Sequence, residues 1–321
     1  MSSSKITSVA ITTNLVLQIL IIVTGGAVRL TASGLGCSTW PLCEPGSFTP
    51  VRHEAFSIHP YIEFSNRVLS AVVVLVAIAV FFLVWRQRET RSRGFRWLAA
   101  APAIGVLAQA GVGGITVLTA LHPAIVGSHF LFSAALVWTS TWLWMRWRSG
   151  DGEVIKLATP PLLSLSVALG VLAAVTVTLG MVVTGSGPHS GDKEAGYRFA
   201  VDPLWITRAH ATAMWVFLAA FAVYLFVVYS RAKTDIRYRP AARGALLVLV
   251  ILAMQAGLGY WQYFTGLPEG VVLAHLLGSA LFILAVTYAL LQLRPRVPSV
   301  SSPRPALEPL YGRIQHQPGA D

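Results

Sequence analysis

The chain has 321 residues, 55% of them hydrophobic and 12% charged, with a formal net charge of +11 and a mean hydropathy of +0.65. That balance excludes a soluble globular domain of this length and points to membrane-spanning helices. It also excludes a nucleic-acid binder, because the basic residues sit in short runs at the ends of apolar stretches and form no basic domain.

A helix needs about 20 apolar residues to cross the hydrocarbon core. Eight such stretches follow in chain order, at roughly 8–29, 61–85, 96–119, 124–145, 158–184, 204–230, 243–265 and 270–293. The first lacks the small-residue cleavage site of a signal peptide and is read as a helix. Between the first two lies GCSTWPLC, with Cys37 and Cys43. On the oxidising side of a membrane this pair would close a short disulfide loop of modest stabilising effect. Two free thiols are the alternative. The second stretch opens on IEFSNR, the fourth carries His129, the sixth opens on ITRAHA and the eighth carries His275. The Pro- and Ser-rich run after Leu293 reads as a disordered tail.

The connections 86–96 and 231–243 are rich in arginine, and 146–156 carries Arg146, Arg148 and Lys156. The short connections near Leu121 and Leu267 carry no Lys or Arg. The positive-inside rule then places both termini in the cytoplasm and the helix starts near His129 and His275 at the outer face of a cytoplasmic membrane.

The chain contains its own second half. QAGVGGITVLTALHPAIVGSHFLFSA begins at Gln109, and QAGLGYWQYFTGLPEGVVLAHLLGSA begins at Gln255. They align without a gap, and His129 matches His275. Four helices per repeat is an even number, so the halves share one orientation as a parallel repeat. The expected fold is an all-α integral membrane protein of two pseudo-symmetric four-helix bundles. Residues 1–150 form the first, residues 151–293 the second and residues 294–321 the cytoplasmic tail.

Both histidines fall near the outer end of their helices. By pattern, Asn66 in the second helix falls opposite His210 in the sixth. The second half thus offers two imidazoles at one depth, and the first offers His129 with Asn66. A lone histidine in an apolar helix is often a hydrogen-bonded core residue. Two on paired helices, repeated across a duplication, point to metal ligands. Two imidazoles on facing helices can hold a haem iron from both sides. Zinc would want more ligands, and the second half has neither Cys nor acid at that depth.

Glu63 stands three residues before Asn66 on one helix face. A carboxylate at the edge of the hydrocarbon is a candidate proton acceptor or charge stabiliser, with an idle interfacial acid as the alternative. The matching position in the second half is Thr207. Arg29, Arg67 and Arg208 lie at outer helix ends, where each could pair with a haem propionate or simply reach the interface. Gln109 and Gln255 read as interhelical hydrogen-bonders. His59 and His122 precede prolines at outer turns and are weaker candidates for a site. His53, His189 and His316 carry less weight still.

The runs TGGAVRLTASGLGCSTWPLC, IEFSNR, LHPAIVGSHF, VTGSGPHSGD, RAHA and LAHLLGSA resemble, in this order, the haem A synthase family. The resemblance covers about residues 15–290. It implies eight helices in two bundles and oxidation of the C8 methyl of haem O to the formyl of haem A, for cytochrome c oxidase. It implies a b-type haem cofactor in the second bundle with His210 and His275 as ligands, and substrate haem in the first. His129 then maps to a substrate-site histidine, Glu63 to the essential glutamate, and Cys37 with Cys43 to the outer-loop cysteine pair. Many members have Glu-x-x-His where this chain has Glu63-Phe-Ser-Asn66. The substrate iron would then be five-coordinate or water-bound on His129, or be met by His59 or His122.

Candidate partners are haem O, membrane lipid, the farnesyltransferase that makes haem O, cytochrome c oxidase assembly factors and a second copy of the chain. Two other readings stand beside this one. A di-haem b-type electron-transfer cytochrome, of quinol oxidoreductase kind, would not need the Glu63 and Asn66 asymmetry. A transporter on a parallel repeat would not need histidines at matched depth.

Overall fold

The structure, a computed structural model, describes residues 3–52, 57–193 and 195–296. Among the described residues it holds eight long helices: α1 (Ser3–Leu30), α2 (His59–Trp85), α3 (Arg93–Leu118), α4 (Pro123–Ser149), α5 (Pro160–Ser186), α6 (Pro203–Thr234), α7 (Arg239–Phe264) and α8 (Glu269–Leu291). All eight are long and apolar enough to cross a membrane. The apolar window of α2 is only 22% buried within the protein. Side chains such as Phe226 and Phe264 stand 73% and 75% exposed, a surface suited to lipid and not to water. The chain is therefore an all-α, eight-span membrane protein.

Local chemistry sets the helix ends. Proline occupies the first turn of α2, α4, α5, α6 and α7, where its fixed φ suits the helix and no partner for its missing N–H is lost. Ser92 caps α3 by accepting from the Phe95 N–H, and Asp202 caps α6 by accepting from the Trp205 N–H. The connections 119–122 and 265–268 repeat each other. Leu121 and Leu267 adopt φ of 59° and 61°. Their N–H groups reach back to Thr116 O at 2.9 Å and Gln262 O at 2.8 Å, so both turns close in the same way.

Packing reproduces the duplication. Helices α1 to α4 touch in a closed ring, each against its chain neighbours and α4 against α1. Helices α5 to α8 close a second ring likewise. The bundles meet through α4 against α8, α1 against α8 and α4 against α5. Those last two contacts exchange under the repeat, so the interface is itself pseudo-two-fold. Ile22, Val137 and Ala280 fill it. Phe217, Phe221, Tyr224 and Phe282 fill the second bundle. Val73, Ala77, Val106 and Leu136 fill part of the first.

Loop contacts sort the helix ends onto two faces. On one, Gly34 N–H donates to Gly191 O at 2.7 Å, and His122 packs on Tyr197 with ring centroids 5.6 Å apart. The connections after α1, α3 and α5 therefore lie together. On the opposite face Gln87 Nε2 donates to Thr7 Oγ1 at 2.9 Å. Ser92 N–H donates to Asp151 Oδ2 at 2.6 Å, and Ile155 N–H to Pro295 O at 2.8 Å. The arginine-rich connections share this second face. The start of the expected tail, residues 294–296, is held here by Arg296 Nη1 donating to Gly152 O at 2.9 Å. The rest of it, with His316, lies outside the described residues, as does His53.

Candidate functional site

The second bundle brings two histidines together. His210 on α6 and His275 on α8 stand close enough to interact electrostatically. Nδ1 of His210 lies 3.0 Å from the carbonyl of Thr176 on α5. A carbonyl only accepts, so Nδ1 carries the proton and Nε2 keeps its lone pair. Nδ1 of His275 is buried without a hydrogen-bond partner among the described residues. Both rings lie against glycine. A Cβ on Gly180 would come 3.1 Å from His210 Cε1, and one on Gly259 would come 3.5 Å from His275 Cε1.

The first bundle repeats half of this arrangement. His129 on α4 faces Gly113, where a Cβ would again come 3.5 Å from the ring Cε1. Its Nδ1 is likewise buried and unpartnered. Gln109 Nε2 donates to His129 O at 2.8 Å, as Gln255 Nε2 donates to His275 O at 3.2 Å. Both glutamines thus join helices, as their repeated positions suggest. In the place matching His210 stands Asn66, whose Oδ1 accepts from Thr24 Oγ1 of α1 at 2.7 Å.

Glu63 turns towards the loop. It is 6% exposed. Its Oε2 accepts the Cys37 N–H at 2.7 Å, and its Oε1 accepts from Arg67 Nη2 at 2.6 Å and Nε at 3.1 Å. Arg67 also donates to Thr39 O at 3.0 Å and Leu42 O at 3.1 Å. Cys37 and Cys43 form a disulfide and are fully buried. Thr39 and Leu42 lie inside the loop it closes. Asp192, in the connection after α5, is near enough to place a second negative charge beside Glu63.

The remaining candidates sit in the loop layer. His59 Nδ1 shares a hydrogen bond with Ser33 Oγ at 2.9 Å. His122 is exposed just before α4 and packs at a tilt against Tyr197. Seven residues separate His122 from His129, about 10 Å along a helix. Arg29 donates from Nε to His189 O at 2.7 Å and from Nη2 to Thr184 O at 2.9 Å, tying α1 to the last turn of α5 and the connection after it. Arg208 is exposed and lines a groove of about 560 Å³ with Leu172, Trp205, Ala209 and Thr212. Among the described residues no three His, Cys, Asp or Glu side chains converge as a metal-ligand group.

Sequence reasoning did not find Thr24, Thr176, Gly180, Thr39 or Leu42. Thr24 holds the amide of Asn66, while the Thr176 carbonyl holds and Gly180 flanks the ring of His210. Thr39 and Leu42 act through main-chain carbonyls, which leave no mark in residue type.

A family model described as Cytochrome oxidase assembly protein, COX15-CtaA, matches residues 8–287. Several curated relatives carry the name heme A synthase. The one from Bacillus pumilus is 24% identical over 276 residues, covering 80% of this chain and 85% of its own. That from Exiguobacterium sp. is 27% identical over 265 residues, covering 80% and 83%. That from Shewanella oneidensis is 25% identical over 320 residues, covering 85% and 92%. With its two four-helix rings and a match that spans all but the ends, the chain belongs to the COX15-CtaA family of cytochrome oxidase assembly proteins.

Proposed function

We propose that this protein is a haem A synthase. It oxidises the C8 methyl of haem O to a formyl group in the first bundle and keeps a b-type haem in the second. The observation that carries this reading is the chemical asymmetry of two otherwise repeated sites. One bundle pairs two imidazoles without an acid. The other carries a single imidazole, His129, with Asn66 in the place of the second and with a buried carboxylate, Glu63.

The second-bundle residues fit a haem. A haem brings four nitrogens of its own and asks the protein for two axial ligands. His210 offers Nε2 with its lone pair directed by the Thr176 contact. His275 offers a ring whose polar edge is otherwise unsatisfied. Glycines at 180 and 259 let the two imidazole rings pack close against the facing helices. When bound, the haem would be held by His210 and His275 and would supply one-electron redox chemistry.

The first bundle suits a group that must leave. His129 would hold the substrate iron, and Asn66 would offer a hydrogen-bonding amide in place of a second imidazole. Each of two oxidations replaces a C–H bond by a C–O bond to water, releasing two protons to the site and two electrons to an external electron acceptor, first to an alcohol and then to a geminal diol that loses water to leave the aldehyde. Glu63 takes up released protons and stabilises positive charge at that carbon, in a site where burial strengthens the interaction. The arginine-rich face is cytoplasmic under the positive-inside rule, and the haem sites lie near the outer face of the cytoplasmic membrane. The reaction class is oxidation at a CH group. Haem O synthase and cytochrome c oxidase assembly factors are the expected neighbours.

The test is Glu63→Gln in the full chain. Haem A formation should be lost while the b-haem spectrum stays. Wild-type levels of haem A in that variant would overturn the assignment.

A further inference from the structure

We infer that Arg67 is the positioning residue for Glu63, acting through a closed hydrogen-bond circuit with the disulfide loop, and is not a ligand for haem propionate. The inference rests on the proposed role of Glu63.

Glu63 and Arg67 are four residues apart on α2, so they are neighbours on one helix face. A pair at this spacing on an open surface would do little. Here the side chains are only 8% and 20% exposed. The guanidinium has five N–H donors. Its Nε and Nη2 meet Glu63 Oε1, Nη2 also meets Thr39 O, and Nη1 meets Leu42 O. These bonds point the arginine at the acid and the loop.

The circuit closes through the main chain. Thr39 and Leu42 belong to the loop that the Cys37–Cys43 disulfide shuts. Cys37 itself donates its N–H to the other carboxylate oxygen of Glu63. Both oxygens of Glu63 are therefore gripped, one by the arginine and one by the loop. These contacts use four of the five donors, so a propionate could take a two-pronged grip on Arg67 only by displacing a carboxylate already in charge-assisted contact. A flexible carboxylate would lose the fixed geometry that proton transfer needs. Lysine lacks the planar fork and cannot serve acid and loop at once.

The test uses the full haem-loaded protein and four forms: wild type, Glu63→Gln, Arg67→Gln and Arg67→Lys. Turnover of haem O is measured against haem O concentration, with the b-haem spectrum as the check on folding. A positioning role predicts that Arg67→Gln loses about 100-fold in kcat with KM close to wild type. It predicts that Arg67→Lys, which keeps the charge and is the milder change, loses kcat by a smaller factor, again at unchanged KM. A raised KM with kcat intact in either variant would make Arg67 a substrate-binding residue and overturn the inference. Full activity of Arg67→Gln beside an inactive Glu63→Gln would overturn the inference alone. Full activity of Glu63→Gln would instead overturn the role given to Glu63.

Discussion

The carboxylate of Glu63 accepts the backbone N–H of Cys37 at 2.7 Å, so the candidate acid of the first bundle is bonded directly to one end of the disulfide. The loop is thus part of the site, although it carries no catalytic side chain. Its two carbonyls hold Arg67, and Arg67 holds the other carboxylate oxygen.

Replacing both Cys37 and Cys43 by Ser should therefore cost activity as well as stability. The closed loop spans six residue steps, for which chain entropy gives about 2 kcal/mol. Thermal unfolding in detergent should show a loss of that order, with the b-haem retained. Haem A formation should fall by about tenfold or more, because Glu63 and Arg67 lose their common anchor. Turnover equal to wild type in a folded double variant would show that the loop does not position the acid.

Asn66→His would restore a second imidazole opposite His129. Thr24 Oγ1 now donates to Asn66 Oδ1, and an imidazole nitrogen can take over that bond or turn to the iron. The account predicts a first bundle that grips haem more tightly, with copurifying haem rising towards about two per chain and slower product release. Haem content is read by extraction against protein. Unchanged content with unchanged turnover would mean that this position does not face the substrate iron.

Asp151 sets a pH dependence at the arginine-rich face, outside the spans. Burial alone would raise its carboxyl. Hydrogen bonds from Ser92, with the charge and hydrogen bond of Arg146, outweigh burial and hold the group below its ordinary value. Its folded value being depressed, its contribution to stability is complete above about pH 4 and is lost as pH falls through the folded value. Asp151→Asn should lower stability by about 3 kcal/mol at neutral pH, because Arg146 stays buried without its partner. Below pH 4 the wild-type and variant melting curves should converge. Curves that stay parallel across that range would remove Asp151 from the account.

Much of the fold was legible in the sequence, because a membrane helix must satisfy its own backbone and so announces itself by length and apolarity. All eight expected spans recur as α1 to α8, with ends shifted by a few residues. The start of α7 moved back to Arg239 because the arginines there extend the helix beyond its apolar part. The duplication was legible through Gln109 and Gln255, whose bonds to the carbonyls of His129 and His275 repeat across the halves. The loop side of the site was not. Glu63 and Asn66 share a helix stripe, yet one turns to Cys37 and the other to Thr24. The α1–α2 connection has no period to read, and its key contacts to Arg67 are main-chain carbonyls. The carbonyls that Arg67 meets could not be read in advance, because residue type does not reveal a main-chain acceptor in reach.

The most direct measurement is extraction and chromatography of the haems that copurify with the wild-type protein made in cells supplied with haem O. The account predicts haem B, from the site of His210 and His275, together with haem O or haem A from the site of His129 and Glu63. Haem B alone would contradict it and leave an electron-transfer cytochrome.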